Sequence, residues 1–379
     1  MEKLKKMKVA LIGSGMISGI YLENLKNQFD IFELVGCSDL IPERSKARAE
    51  EFGIRDMTNE EILSDPSIEM IINTTYPVSH YEISKAALLA GKHVYCEKMT
   101  TLTVEQSTEL LALAQERNLF VGGAPDTFLA GGIQLARQLI DSGLIGTPVA
   151  SEISLCRSYH HERHYTGDYK RFAFCENGGI IFDMGSYYLT VLAFLLGPVK
   201  AVNGFTQIRD PHRIYQNPNC PLYGQEMLIE SSNNTVGSLL FANGTLGQLL
   251  ITSEGAGGPQ RFIIYGTNGT MDLGDPNEYG GVIRITNKKG EVSEIHTTHA
   301  YTNGNFRGLG AADAAYAIRT NRAARCSGEL NRHVLDIALS ICKSSETGQT
   351  QFLQTTCERP QPFASGYTER SELVLTLTE

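Results

Sequence analysis

Asp183 is the only formal charge in an apolar and aromatic run, Ile180 to Leu196, and Tyr187 follows it by four residues. In a helix that spacing puts carboxylate and phenol on one face. A carboxylate in a helix buried on most sides needs a partner or a task. The pair could line a site, or Asp183 could only cap the helix beside Gly178 and Gly179. A membrane span is a third reading, but the run is short for one, contains Asp, Gly, Ser and two Tyr, and stops at Gly197-Pro198. Lys98, after Glu97, ends the strand KHVYCE. An ammonium at the carboxyl end of a parallel strand reaches the ligand crevice, although a solvated strand terminus would look the same. Together the three residues suit proton transfer. A phenol beside an ammonium can exchange a proton with a substrate hydroxyl, so Lys98, Asp183 and Tyr187 are the candidate catalytic set, in which Asp183 could keep Lys98 charged and directed.

A second group of residues suits a dinucleotide. Gly13-Ser14-Gly15-Met16-Ile17-Ser18-Gly19 separates the strand MKVALI from the helical spacing of YLENLKNQF. Gly13 would make the tight turn and Gly15 would let backbone approach a pyrophosphate. Met16 and Ile17 open the helix whose N–H groups and dipole face it. Ser18 occupies the usual third glycine position, and the bland reading is a glycine turn that binds nothing. Asp39, at the end of FELVGCS, is placed to take the adenosine ribose hydroxyls and to repel a 2′-phosphate, with Arg44 the nearest cation along the next helix. NAD(H) is thus expected, with NADP(H) disfavoured. Thr75, Tyr76 and His80 follow the third strand, and with Glu97 and Lys98 they complete the expected cofactor contacts. His80 is read as a positioning residue rather than a base.

His160, His161, Glu162 and His164 crowd the segment YHHERHY. HExH is not the helical zinc spacing HExxH, so no metal is expected, and the three histidines are assigned to a polar substrate together with Asp126, Lys98, Asp183 and Tyr187.

The elements that must carry these groups follow from periodicity. To residue 123, strands alternate with helices: MKVALI, FELVGCS, IEMIINT, KHVYCE and LFVGG separated by helical segments, the pattern of a doubly wound parallel sheet. Beyond it the chain becomes strand-rich, with Asn-Gly and Gly-rich turns such as Ala242 to Gly244 and Thr267 to Gly269. Here the reading is an α+β domain with a large open antiparallel sheet, covered on one face by the Asp183 helix and by GAADAAYAIR and GELNRHVLDIALSICKSS. The fold class is α/β, with a Rossmann domain over 1–124 and an α+β domain over 125–379, to which the resemblance described below assigns substrate binding and oligomerisation.

A chain of 379 residues exceeds one ordinary hydrophobic core. Its net charge of -9 argues against nucleic acid as a partner, since the one basic cluster is Lys3, Lys5, Lys6 and Lys8. Eight cysteines without any C-x-x-C pair, and no signal peptide pattern, point to a reducing compartment, the cytoplasm, with no membrane as partner.

The glycine turn, Asp39, AGKHVYCEK and NGGIIFDMGSYY resemble the glucose-fructose oxidoreductase, inositol dehydrogenase and rhizopine-catabolism family over nearly the whole chain. That resemblance implies NAD(P)-dependent oxidoreductase activity on sugars, cyclitols and related polyols, and a homodimer or homotetramer through the open sheet face. Two departures stand out: Met99 replaces the family's proline after Lys98, and Tyr187 stands where many members have His. The same resemblance leaves open an NAD-dependent glycosidase that oxidises its sugar transiently, or a non-catalytic NAD-binding sensor. Retention of Lys98, Asp183 and Tyr187 argues against the sensor.

Overall fold

A computed structural model of the chain describes residues 4–158 and 178–364. The first sheet holds β1 (Met7–Ile12), β2 (Phe32–Ser38), β3 (Arg55–Asp56), β4 (Met70–Asn73), β5 (His93–Cys96) and β6 (Val121–Gly123). All its pairings are parallel and its order is β3-β2-β1-β4-β5-β6. Between β1 and β4 the order reverses direction, which opens a crevice at the carboxyl ends of the strands. Helices α1 (Ser18–Asn27), α2 (Pro42–Phe52), α3 (Asn59–Ser64), α4 (Pro77–Leu89) and α5 (Val104–Glu116) make the crossovers. Their ends carry local signals: Pro42 and Pro77 open helices, Gly53 closes one at φ +59°, and Thr58 and Glu61 form a reciprocal capping box. The five strands read from sequence are present; β3 and α3 were not anticipated, being too short to show a period.

Beyond a cis Ala124–Pro125 peptide, α6 (Gly131–Asp141) leads to β7 (Pro148–Ser158), and α7 (Ser186–Leu196) follows the Asp183 turn. The remaining strands are β8 (Val199–Gln207), β9 (His212–Ile214), β10 (Glu226–Leu228), β11 (Asn234–Phe241), β12 (Leu246–Gly255), β13 (Arg261–Gly266), β14 (Gly269–Asp272), β15 (Val282–Asn287), β16 (Val292–His296) and β17 (Gln351–Phe352). Eight of these and β7 build the second sheet, in the order β16-β15-β14-β13-β7-β12-β11-β8-β17. The sheet is mixed rather than antiparallel, because β12 runs parallel to β7. Hairpin turns force antiparallel neighbours only between consecutive strands. Here β7 and β12 are joined by a long connection that includes α7, β8 and β11. Strand β10 lies outside the large sheet and, among the described residues, pairs with β9.

Every residue of α7 is buried, as its all-round apolar sequence requires, and it packs against α6 and α9 (Gly328–Thr347). No helix among the described residues is long and apolar enough to cross a membrane. Helix α9 also joins the two sheets. Asn331 Nδ2 donates to the carbonyls of Gly123 (3.2 Å) and Ala124 (3.1 Å), and Ser327 bridges to Gly122 on the outer edge of β6. A Cβ at Gly122 would collide with the Cys326 carbonyl, so only glycine permits this approach.

On the same helix, His333 Nε2 accepts from the Val199 amide at 2.9 Å, while Nδ1 meets Thr355 Oγ1 at 3.1 Å. Burial pushes this imidazole down from 6.5 to about 4. A histidine depressed in the folded state contributes stability above its unfolded value, and loses it as pH falls from 6.5 through about 4. The shift corresponds to about 3 kcal/mol. Urea midpoints of the wild type should therefore fall between pH 6.5 and 4 more steeply than those of His333→Gln. Equal acid slopes in the two proteins would remove His333 as the cause.

Candidate active site

The crevice side of the first sheet presents the glycine turn. Gly13, at φ +104°, abuts the backbone of Thr74 and Thr75, where a Cβ would lie 2.5 Å from the Thr75 nitrogen. At Gly15 a Cβ would meet no protein atom within 4 Å, which is the open flank a pyrophosphate requires. Helix α1 begins after Ile17 without a side-chain cap, an open helix start of the kind that receives an anion, and Met16 is 78% exposed beside it. Ser18, at the third glycine position, is buried and donates its hydroxyl to the Gly15 carbonyl at 2.6 Å. It thereby closes the turn by a hydrogen bond. Asp39 is half-buried just past β2 and accepts from the Ile41 amide at 2.8 Å, and Arg44 stands in the first turn of α2. These residues fit a dinucleotide: the glycine turn and the start of α1 would hold the phosphates and Asp39 the ribose.

Thr75 and Tyr76 lie where β4 gives way to α4; Tyr76 is partly exposed and Thr75 is held by Asn73 Oδ1 at 2.7 Å. Their neighbour His80 departs from its expected place among the cofactor contacts. Its ring is fully buried, with Nδ1 2.7 Å from the Met99 carbonyl and Nε2 2.9 Å from that of Thr75. Burial holds this imidazole below its usual range, against the pull of the two carbonyls. His80 ties the β4 turn to the segment after Lys98, where the Lys98–Met99 peptide is cis.

Glu97 and Lys98 leave the end of β5. Glu97 accepts from the Tyr21 hydroxyl of α1 at 2.6 Å and from the Lys98 amide at 3.0 Å. The Lys98 ammonium crosses to the second part of the chain and meets Asp183 Oδ1 at 2.6 Å, each side chain 11% exposed. Burial alone would lower the Lys98 value, but Asp183, Tyr187 and Glu97 together raise it, so the amine stays charged. Because the folded value is the raised one, the pair's contribution is fully present below the ordinary lysine value of 10.5.

Asp183 is presented by one π-helical turn, Ile181–Gly185, which opens directly into α7. Gly179 starts that turn at φ +106°, pressed so closely against the Ser232 carbonyl that no side chain fits. The Asp183 amide bonds back to the Gly179 carbonyl at 3.0 Å. Asp183 is thus an ion-pair partner rather than a helix cap, and it has a partner across the crevice. Tyr187 lies below Lys98, whose nitrogen is 5.2 Å from the ring centroid, a cation–π contact. The cation that meets the phenol oxygen is a different one, Arg307 Nη2, at 3.3 Å.

Arg307 carries no sequence signal, since a single basic residue in a Gly- and Asn-rich stretch 120 positions from Tyr187 has no local pattern to betray it. Nor do Asn277 and Asn305, which hold its guanidinium at 2.7 and 2.9 Å. Asp126 was expected at the substrate. It is 1% exposed and accepts from Tyr95 (3.1 Å), Tyr279 (2.9 Å) and the amides of Gly308 (2.9 Å) and Gly310 (3.0 Å). With four donors converging on it, Asp126 anchors the Arg307 turn and is buried away from the crevice surface, which corrects the expectation of a substrate contact. The candidate contacts His160, His161 and His164 lie outside the described residues.

Residues 7–123 match the model described as an oxidoreductase family with an NAD-binding Rossmann fold, and residues 133–272 match the GFO/IDH/MocA C-terminal domain. A 1,5-anhydro-D-fructose reductase of Ensifer adhaerens is 25% identical over 335 residues, 85% of this chain and 92% of that protein. An uncharacterized oxidoreductase of Synechocystis sp. is 27% identical over 281 residues, 73% of this chain and 74% of the relative. Among solved structures, levoglucosan dehydrogenase in complex with NADH shares the fold, with a TM-score of 0.79 at 20% identity, over 93% of this chain and 100% of that one.

Removing one member of a mostly buried ion pair strands the other, at a cost of about 3–5 kcal/mol, whereas removing both can be nearly neutral. Asp183→Leu should therefore lower the urea midpoint more than the double variant Lys98→Met/Asp183→Leu does. A double variant no more stable than Asp183→Leu alone would show that the two charges are not coupled.

Proposed function

The chain belongs to the GFO/IDH/MocA oxidoreductase family, and from that premise we propose that it moves a hydride between NAD(H) and a secondary alcohol or ketone of a sugar, cyclitol or related polyol. One observation carries the proposal: the Lys98–Asp183 pair, 2.6 Å apart, closes over the Tyr187 ring where β5 delivers it to the dinucleotide crevice. Bound in that crevice, the nicotinamide ring supplies the hydride acceptor or donor. Tyr187 as the phenolate takes the hydroxyl proton during oxidation, and as the phenol gives its proton to the carbonyl oxygen during reduction. Lys98, kept charged by Asp183, donates a hydrogen bond to the substrate oxygen. NAD(H) is preferred to NADP(H) because the Asp39 carboxylate repels a 2′-phosphate. The names of relatives, a 1,5-anhydro-D-fructose reductase and inositol 2-dehydrogenases among them, support the substrate class.

The outer face of the large sheet supports self-association. Phe205, Val236 and Leu250 are exposed there as direct neighbours across β8, β11 and β12, an apolar row of the kind that marks an interaction site. Light scattering should find a dimer or tetramer for the wild type and a smaller species for Phe205→Glu. A monomeric wild type would end this part of the reading.

The function is tested by titrating NADH and NADPH and then following cofactor absorbance with 1,5-anhydro-D-fructose, myo-inositol, levoglucosan and related polyols. NADH should bind more tightly than NADPH, and at least one polyol should turn over. With that substrate, Tyr187→Phe should lower kcat by about 10² to 10⁴ while leaving the NADH dissociation constant nearly unchanged. A fully active Tyr187→Phe enzyme would take the proton-transfer role from the phenol. Sugar release without net change in cofactor absorbance would instead identify a glycosidase.

A further inference from the structure

Tyr187 is bracketed by two cations, and only one of them, Lys98, belongs to the set read from sequence. The other, Arg307, comes from the turn before α8 (Leu309–Thr320) and meets the phenol at its oxygen. A guanidinium is all donor, so in this contact the Tyr187 oxygen must accept. The phenol's own proton is thereby directed away from Arg307. Arg307 is itself immobilised: Nη2 also donates to Asn277 Oδ1 at 2.7 Å and Nη1 to Asn305 Oδ1 at 2.9 Å. These partners are all neutral oxygens, so the fixed guanidinium keeps its charge for whatever forms at Tyr187.

The backbone beneath it is equally constrained. Asn24 of α1 donates to the carbonyls of Asn305 (2.8 Å) and Arg307 (2.9 Å), and Asp126 takes the amides of Gly308 and Gly310. The first sheet's own helix therefore sets where the guanidinium points. Preorganised donors aimed at an oxygen that gains charge during reaction lower a barrier without reorganising.

We propose that Arg307 is a positioning residue for this site, holding the Tyr187 hydroxyl as a hydrogen-bond acceptor so that its proton faces the reacting oxygen and its developing charge meets a cation already in place. The inference rests on the proton-transfer role given to Tyr187 above. It adds no reactant: the proton passes between phenol and substrate oxygen, and Arg307 stays protonated throughout.

The test is a double-mutant cycle with the best substrate of the polyol panel, joined to a measurement that needs no substrate. Arg307→Met should lower kcat by about 10²-fold with KM and NADH affinity nearly unchanged, and Arg307→Lys should recover part of the loss. In a Tyr187→Phe background the same Arg307→Met change should cost almost nothing more. Equal losses in both backgrounds, or a rise in KM alone, would overturn the proposal, because Arg307 would then act on substrate rather than through the phenol. Should Arg307→Met fail to fold, Asn277→Ala frees the guanidinium without touching Tyr187 and should give a smaller loss of the same kind. Independently, protein labelled with ¹³C at the tyrosine Cζ identifies Tyr187 as the NMR signal missing from Tyr187→Phe. That signal should move in Arg307→Met while those of distant tyrosines stay. If it does not move, the positioning role is wrong even if turnover is found; if it moves and no polyol reacts, the contact stands and the assigned reaction fails.

Discussion

The ion pair between Lys98 and Asp183 is the interaction around which this molecule is arranged. One charge comes from the end of a parallel strand, the other from a helix that begins 85 residues later, and the two meet at 2.6 Å in a place nearly shut off from water. Neither charge would be tolerated there alone. The arrangement therefore demands that the mouth of the first sheet and the start of α7 be held in register to a fraction of an ångström. Much of the surrounding structure does this: Gly179 and its π-helical turn aim the carboxylate, the all-apolar α7 seats it in the second core, and His80 secures the backbone just after the lysine.

A second layer of polar contacts fixes the phenol between the two parts of the chain. Tyr21 and Asn24 lie three residues apart on α1, and so on one face of the helix. One reaches Glu97 beside the lysine, and the other the carbonyls of the Arg307 turn. The helix that opens with the glycine turn thus also fixes the far wall of the crevice. Any disturbance of its first turn would be felt at Tyr187 as well as at the cofactor.

How much of this could be read from residues alone followed from how local the signal is. Strands and helices of the first sheet, β3 and α3 apart, were legible because glycine and proline punctuation, caps and periodicity all act within about ten residues. Lys98, Asp183 and Tyr187 were legible because each is chemically out of place: a lysine ending a buried strand, a carboxylate and a phenol within an apolar helix. Arg307 was not, since its importance lies wholly in a neighbour 120 positions away. The parallel pairing of β7 with β12 was hidden for the same reason. Asp126 erred in the opposite direction. Its residue type invited a substrate role, but burial and four hydrogen bonds commit it to the scaffold, and burial of a single polar residue leaves no trace in the order of amino acids. His80, read as a positioning residue, is one, although buried too deeply for the expected cofactor contact.

The bridge from Ser327 to Gly122 has a consequence for how the protein is made. Strand β6 is the edge of the first sheet, and the Gly123 amide finds its acceptor only in the Cys326 carbonyl. About 200 residues separate the two, so at a translation rate of roughly 5–20 residues per second the edge waits some 10–40 s on the ribosome with its hydrogen-bonding groups unpaired. An open strand edge is a template for the wrong neighbour. Until α9 emerges to cover it, this edge of the nascent sheet is open to water and to pairing with another strand.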